Sequence, residues 1–208
     1  MPYEWKFNPR PYSDAEAANL LKDVVSPETA DWHYNRHHKG YVGGLNAIEA
    51  QLVEADREAA NGNYSHWGEA KRRFPWNHAG TVLHDVYWMN LGGDGDINKA
   101  PELKKAIEEN FGSVDQWRAD FHKTAFATKL SGWGILVHDQ MYSGRLLNVM
   151  VDEHMNGAIW GGIPLVACDM FEHAYYHKSG PDRNSYIEAF LNNLHWERIN
   201  AHFKKYQR

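Results

Sequence analysis

An uninterrupted apolar run, residues 163–168, ends directly at an aspartate, Asp169, and is the most restrictive feature of the sequence. The run has a proline, Pro164, near its start and no helical spacing of polar residues, so it predicts a buried strand. An aspartate at the end of such a strand is expected to meet water or a metal ion. His173 lies four positions further along. If a helical turn follows the strand, the carboxylate and the imidazole project from one face and can share a metal ion.

The composition also favours a metal-binding protein. The 208 residues include nine tryptophans and thirteen histidines. The tryptophans predict a large aromatic core, and a high histidine content is typical of metal sites. The single cysteine, Cys168, excludes an intrachain disulfide and a thiolate metal cluster. Because the formal net charge is −5, we expect no nucleic-acid partner.

The amino-terminal residues bear on where the protein works. Residues 1–13 carry charges and three prolines but no apolar run. We therefore expect no signal peptide and a cytoplasmic location. No stretch of the sequence approaches the apolar length of a membrane-spanning helix, so we expect no membrane partner.

Helix signals dominate the first half of the chain. After a short helix over residues 13–22, three helices are predicted, over residues 26–61, 67–74 and 77–90. Ser26-Pro27-Glu28 combines a capping residue, a proline for the first turn and an acid that interacts with the helix dipole, so it predicts the start of the first helix. Gly43-Gly44 marks a weak point inside that helix. Pro75 is expected to separate the other two helices, because a proline removes a backbone hydrogen bond.

The second half of the chain mixes helices and strands. We predict helices over residues 101–110 and 114–129, strands over 135–138, 146–151 and 163–168, and two short helices after Pro181. Turn-forming residues between the first two strands predict a hairpin. The order predicts an α+β fold, in which an N-terminal helical hairpin domain (1–92) precedes a mixed α/β domain (93–208) with a small three-stranded antiparallel sheet.

Two of the predicted helices carry histidines that could complete a metal site. His33, His37 and Tyr41 recur every four residues and form one stripe, whereas His38 lies off it. Two histidines four apart can chelate one metal ion. Spacing alone does not identify the ligand, and histidines that hydrogen-bond to their neighbours would give the same pattern. His84 lies in an apolar run, where an imidazole without a partner is costly.

Four motifs together resemble the iron/manganese superoxide dismutases. They are WHYNRHHKGYV at 32–42, GTVLHDVYW at 80–88, SGWG at 131–134 and DMFEHAYY at 169–176. Their order and separation cover nearly the whole chain, which makes the match more specific than any single motif. The family has a helical hairpin followed by a mixed α/β domain, in agreement with the arrangement predicted above.

The resemblance implies a function and a ligand set. One iron or manganese ion per chain would be bound by His33, His84, Asp169 and His173, and would disproportionate superoxide into dioxygen and hydrogen peroxide. The other implied positions are the catalytic His37 and Tyr41, the aromatic wall of Trp88 and Trp133, Arg183 near the channel mouth, and Glu172 and Tyr176 at a dimer interface. A homodimer or homotetramer is therefore implied, with Glu172 directed toward the partner's His173 and Tyr176 toward the partner's His37.

The sequence departs from the family pattern where a glutamine usually holds the solvent ligand. One of the two positions for this glutamine, four before His84, is Gly80. The other, fifteen before Asp169, is His154, as in archaeal and actinobacterial branches of the family. The resemblance therefore implies that His154 is a catalytic residue that interacts with Tyr41 or with the solvent ligand. From the residues alone, a lone histidine in a polar loop predicts a solvated side chain.

Two further departures concern the aromatic residues of the family. Phe171 stands where a tryptophan is common, and Ile135 replaces the second tryptophan of the usual GWGW segment. The ligand set does not separate iron from manganese, since both accept nitrogen and carboxylate ligands. With these departures we expect iron, or the use of either metal.

Two other functions are compatible with the residues. A non-redox metal-dependent hydrolase would use the same cluster with a general base beside it, and Glu172 is the only acid close in sequence. The sequence contains neither H-E-x-x-H nor Glu-x-x-His, which disfavours zincins and di-iron bundles. A metal-free helical protein with structural histidines would purify without stoichiometric iron or manganese.

Overall fold

The N-terminal half of the molecule is a hairpin of two helical rods. It is seen in a computed structural model that describes residues 2–129 and 131–206. A short helix α1 (Asp14–Leu20) precedes a first rod made of α2 (Pro27–Trp32), a π-helical segment (His33–His38) and α3 (Lys39–Glu54); the second rod is α4 (His66–Asn90). The rods are antiparallel, because Tyr41 packs against Gly80 while Gly44 approaches Asn77.

The first rod begins where the sequence predicted and ends earlier. The Ser26 side chain accepts a hydrogen bond from the backbone N–H of Thr29, as expected of a helix cap. The predicted end near residue 61 is wrong, because Asp56 and Asn61 bind nearby backbone N–H groups and stabilise a loop instead. The predicted weak point at Gly43-Gly44 is also wrong. The irregularity is the π-helical segment, one turn earlier in the chain.

The second rod is one continuous helix, so the predicted break at Pro75 is wrong. A proline inside a helix costs about 3 kcal/mol. The rod contacts α3 on both sides of the proline: Ala70 clusters with Ile48 before it, and Gly80 lies against the ring of Tyr41 after it. Packing along the whole length of the helix therefore offsets the lost hydrogen bond.

The C-terminal half surrounds a small sheet with helices. The elements are α5 (Pro101–Phe111), α6 (Val114–Ala127), β1 (Gly132–Asp139), β2 (Leu146–Asp152), β3 (Gly162–Asp169), α7 (Glu172–Ser179), α8 (Arg183–Asn192) and α9 (Trp196–Lys205), with a 3-10 turn at Ile97–Lys99. The sheet has the order β2-β1-β3, and both pairings are antiparallel. The predicted α+β fold with a three-stranded antiparallel sheet is confirmed.

A buried amide fixes the second rod against the sheet. Asn90, at the end of α4, donates from Nδ2 to the carbonyl of Leu165 and accepts at Oδ1 from the N–H of Ala167, both at 2.8 Å. Its side chain thereby pairs with the free edge of β3 as a neighbouring strand would. In the sheet, the last residue of β3, Asp169, lies beside Trp133 of β1. The fold thus brings α4 close to the end of β3.

One hydrophobic cluster includes residues from both halves, among them Leu83 of α4 and Leu136 of β1. The division into residues 1–92 and 93–208 therefore stays a prediction. Within the described ranges, no helix combines the length and the apolar character needed to cross a bilayer.

Candidate metal centre

Four side chains from distant parts of the chain converge on one point. They are His33 of the π-helical segment, His84 of α4, Asp169 at the end of β3 and His173 of α7, and one ligand atom from each lies within 4.8 Å of the others. Oδ2 of Asp169 is 3.0 Å from Nε2 of His33 and 3.3 Å from Nε2 of His173. It is 3.6 Å from Nε2 of His84. Three imidazole nitrogens thus surround one carboxylate oxygen.

Local hydrogen bonds orient two of these groups. Asp169 accepts the backbone N–H of Phe171 at Oδ1, at 2.9 Å, which leaves Oδ2 directed at the histidines. Nδ1 of His84 lies 2.6 Å from the carbonyl of Gly80. Because a carbonyl only accepts, Nδ1 carries the proton and the lone pair of Nε2 points into the cluster.

The π-helical segment arranges three histidines in different directions. His33 is buried and enters the cluster, while the half-buried His37 stacks on His173 with ring centroids 4.0 Å apart. His38 is also buried, with Nε2 3.2 Å from Oδ1 of Asp85. Such π-helical turns are frequent at functional sites. The structure therefore places His33 in the cluster and His37 and His38 outside it, a distinction that sequence spacing alone could not make.

The protonation states of the cluster suit a metal ion. Burial lowers the pKa of His33 to about 4 and holds the pKa of His84 well below its usual value, so both rings are neutral. Burial acts to raise the pKa of Asp169, but its interactions with His173 and His33 keep it well below the usual range. Neutral imidazoles and an ionised carboxylate are the forms that bind metals.

The cluster is also unsatisfied without a cation. Nε2 of His33, His84 and His173 and Oδ2 of Asp169 are buried atoms that have no hydrogen-bond partner in the described part of the chain. Leaving four such atoms unpaired costs free energy. One cation would interact with all four, and three nitrogens with one carboxylate oxygen suit iron or manganese. The residues therefore fit the expected ion.

His154 lies next to the cluster and bonds at both ring nitrogens. Nε1 of Trp133 donates to Nδ1 at 3.0 Å, and Nε2 lies 2.7 Å from the hydroxyl oxygen of Tyr41. Because an indole only donates, Nδ1 must accept, so Nε2 carries the proton and donates to Tyr41. Burial lowers the pKa of His154 to about 4, which keeps the ring neutral. The solvated loop histidine expected from the residues alone is wrong, since His154 is 1% exposed.

Gly80 allows Tyr41 to reach this position. A Cβ atom at Gly80 would lie 2.7 Å from Cδ1 and 2.8 Å from Cγ of the Tyr41 ring, closer than real contacts allow. Any side chain there, a glutamine included, would displace the ring. Burial raises the pKa of Tyr41, so its hydroxyl stays protonated.

Aromatic side chains enclose the cluster. The ring of Trp88 lies 5.0 Å from that of His33, and the ring of Trp133 lies 5.1 Å from that of His84. Phe171 does not contact His84 in this way but stacks on His154 at 4.7 Å. Ile135, in contrast, is buried in the sheet beside a cavity of about 240 Å³.

Sequence reasoning missed two aromatic neighbours of the site. The ring of Tyr87 lies 4.8 Å from His33, and the ring of Trp76 lies 4.6 Å from His154. Trp76 stands four residues before Gly80 and eight before His84 on the same helix. This four-residue spacing was the signal that could have identified it.

The remaining predicted residues lie on an open groove of about 1040 Å³. Glu172 and Tyr176 both lie on α7, and Tyr176 is 51% exposed. Arg183 donates to the carbonyl of Thr128 at 3.0 Å and to its hydroxyl at 2.6 Å, which binds it to the C-terminal end of α6. This structural contact of Arg183 was not indicated by the sequence.

The site contains few of the acidic groups that a hydrolase would use. Among residues 2–129 and 131–206, the converging group contains a single acid, Asp169. Glu172, the only acid that sequence proximity suggested as a general base, is exposed on α7. The hydrogen-bonded groups next to the cluster are instead a tyrosine, a histidine and a tryptophan.

Comparisons with known proteins cover both halves of the chain. A family model described as "Iron/manganese superoxide dismutases, alpha-hairpin domain" matches residues 5–92, and the model of the C-terminal domain of the same enzymes matches residues 99–202. The chain is 36% identical over 202 residues to manganese superoxide dismutase 1 of Haloferax volcanii, covering 97% of this chain and 96% of the relative. It is 39% identical over 186 residues to the iron superoxide dismutase of Aquifex pyrophilus, covering 87% and 85%.

Proposed function

Because the chain belongs to the iron/manganese superoxide dismutase family, we propose that it disproportionates superoxide into dioxygen and hydrogen peroxide, using one iron or manganese ion per chain. The observation that carries this proposal is the convergence of three imidazoles and one carboxylate whose inward-facing atoms are buried and unpaired. When bound, such an ion supplies reversible one-electron redox chemistry.

In this proposal the ligands are Nε2 of His33, His84 and His173 and Oδ2 of Asp169. Histidines bind a metal ion as neutral imidazoles, so the carboxylate of Asp169 is the one negative charge in this ligand set. The site therefore stays positive when a trivalent ion is bound, which attracts the superoxide anion. The aromatic rings of Trp88 and Trp133 exclude water from the sides of the site and strengthen that attraction.

Peroxide formation also needs protons at a defined place, and Tyr41 is proposed to hold one. His154 donates its Nε2–H to the Tyr41 oxygen, so the hydroxyl hydrogen of Tyr41 is free to donate elsewhere. The ring of Tyr41 lies 5.2 Å from that of His84, next to the cluster. Trp133 fixes the other nitrogen of His154 and thereby the direction of this donation. His37 is proposed as a catalytic neighbour because its ring stacks on His173.

We further propose a cytoplasmic homodimer or homotetramer, assembled through the face that carries Glu172 and Tyr176. The half-exposed aromatic side chains of Tyr176 and Trp32 support this face as an interface. In this proposal Glu172 is directed toward the partner's His173, and Tyr176 toward the partner's His37. Sedimentation of the protein as a monomer at micromolar concentration would contradict it.

Metal analysis combined with activity measurements tests the function. The purified protein should contain about one iron or manganese ion per chain, and superoxide dismutation should require the ion. His84→Ala should abolish both metal binding and activity, because it removes one ligand and opens a cavity. His66→Ala is the matched control, since His66 is exposed on the same helix. Protein that folds normally but binds neither metal would instead support histidines with a purely structural role.

A further inference from the structure

The imidazole of His154 is held by its faces as well as by its nitrogens. The ring of Phe171 stacks on it with centroids 4.7 Å apart and an interplanar angle of 17°. Trp76 contacts it edge-to-face, with centroids 4.6 Å apart at 69°. With Trp133 and Tyr41 at the two nitrogens, four side chains surround one ring.

Both hydrogen bonds of His154 depend on the orientation of this ring. A half-turn about the bond between Cβ and Cγ would put carbon atoms where Nδ1 and Nε2 now lie, and both bonds would break. A tilt of the ring plane would weaken both, because hydrogen bonds lose strength steeply as they become misaligned. The stacked ring of Phe171 restrains this tilt of the imidazole. Neither hydrogen bond restrains it alone.

We propose that Phe171 is a positioning residue for His154, so that these two departures from the family pattern form one interdependent pair. This proposal rests on the function proposed above in one respect only: the role given to the contact, which is to direct the Nε2 proton of His154 at Tyr41. The contact itself is tested without catalysis. Phe171 also lies near Trp133 and His173, at 6.4 Å and 5.3 Å between ring centroids. The experiment must therefore separate an effect through His154 from a direct one.

The signature of the pair is the indole N–H of the buried Trp133, because its hydrogen bond to Nδ1 of His154 further slows its exchange with solvent. We suggest measuring hydrogen exchange of tryptophan indoles by NMR on the full-length protein, with and without zinc as a diamagnetic ion. A Trp133→Phe variant assigns the signal. Phe171→Leu, which keeps an apolar side chain but removes the ring, should speed exchange of this N–H about five- to tenfold. Phe171→Tyr keeps the ring face and should restore slow exchange.

A comparison of double variants decides whether Phe171 acts on Trp133 through His154 or directly. In a His154→Gln background there is no imidazole to stack on, so Phe171→Leu should change the Trp133 exchange rate less than about twofold. The control is Phe203→Leu, because the buried Phe203 also contacts a histidine ring, His138, although edge-to-face and away from the site. It should leave the Trp133 signal unchanged.

Two results would overturn the proposal. The first is an unchanged exchange rate in Phe171→Leu when His154 is present. The second is an equal acceleration in the His154→Gln background, which would mean that Phe171 acts on Trp133 directly. Neither result bears on whether the protein dismutates superoxide, so the failure of this inference is distinguishable from failure of the proposed function.

Discussion

Substitution of Gly80 by alanine tests how closely the two rods approach at the site. The added Cβ atom would lie 2.7 Å from Cδ1 of Tyr41. Carbon atoms pack at about 3.5–4.0 Å, so the ring must retreat by close to 1 Å. The hydroxyl of Tyr41 now lies 2.7 Å from Nε2 of His154, and a shift of that size would break the hydrogen bond.

Two opposing terms set the effect of this change on stability. Replacing glycine by alanine inside a helix stabilises it by about 1 kcal/mol. Overpacking a close contact costs about 1–3 kcal/mol, and the lost hydrogen bond costs about 1 kcal/mol more. Gly80→Ala is therefore expected to lower the free energy of unfolding by about 1–3 kcal/mol. Displacement of Tyr41 should also reduce superoxide dismutation by about ten- to hundredfold.

Gly43→Ala is the matched control, because Gly43 lies inside α3 with nothing within 4 Å of its added Cβ atom. It should stabilise the protein by up to about 1 kcal/mol and leave activity unchanged. Urea unfolding and a superoxide assay on equally metal-loaded proteins measure both effects. If Gly80→Ala matched Gly43→Ala in stability and activity, the close approach of Tyr41 to α4 would be wrong.

Three further predictions concern other parts of the molecule. Asn90→Ala should lower the free energy of unfolding by about 2–5 kcal/mol in urea titrations, because it leaves two buried backbone groups of β3 unpaired; a loss below 0.5 kcal/mol would contradict this. Burial lowers the pKa of His202, whose Nε2 lies 3.2 Å from the carbonyl of Pro164. Above the ordinary histidine pKa the neutral ring stabilises the fold, and this contribution is lost as pH falls below that pKa. His202→Gln should therefore flatten the decline of the urea midpoint between about pH 7 and 5. A decline as steep as that of the unchanged protein would refute this prediction. Removing the metal should lower the free energy of unfolding by about 4 kcal/mol, relative to protein in which the free ion is at a thousand times its Kd. If calorimetry found equal stability with and without the ion, that result would count against a metal site at Asp169.

Local signals predicted much of the fold correctly. Ser26 begins a helix as expected, and the run at 163–168 is a strand that ends at Asp169. These features depend on capping, on proline and on continuous apolar runs, which act within a few residues. The family, its fold and its iron or manganese cofactor were also identified correctly from four motifs, and both family models agree.

Features set by distant contacts were predicted wrongly. Pro75 does not end its helix, because α3 packs along α4 on both sides of it. The expected weakness at Gly43-Gly44 is absent from α3, since Gly44 instead admits the close approach of Asn77. His154 is buried by side chains from other elements, and its own loop contains no sign of them. The assignment of metal ligands and catalytic residues stays a prediction until metal and activity are measured.

The sequence by itself determined which chemical groups are available: imidazoles and a carboxylate at helical spacings, a glycine four residues before His84, and a histidine where a glutamine is usual. Only the tertiary structure decided which atoms meet. Oδ2 of Asp169 meets Nε2 of His33 at 3.0 Å, and Nε2 of His154 donates to Tyr41 because Trp133 occupies Nδ1. The direction of a hydrogen bond depends on partners that are distant along the chain, and only the packing of the rods against the sheet supplies them.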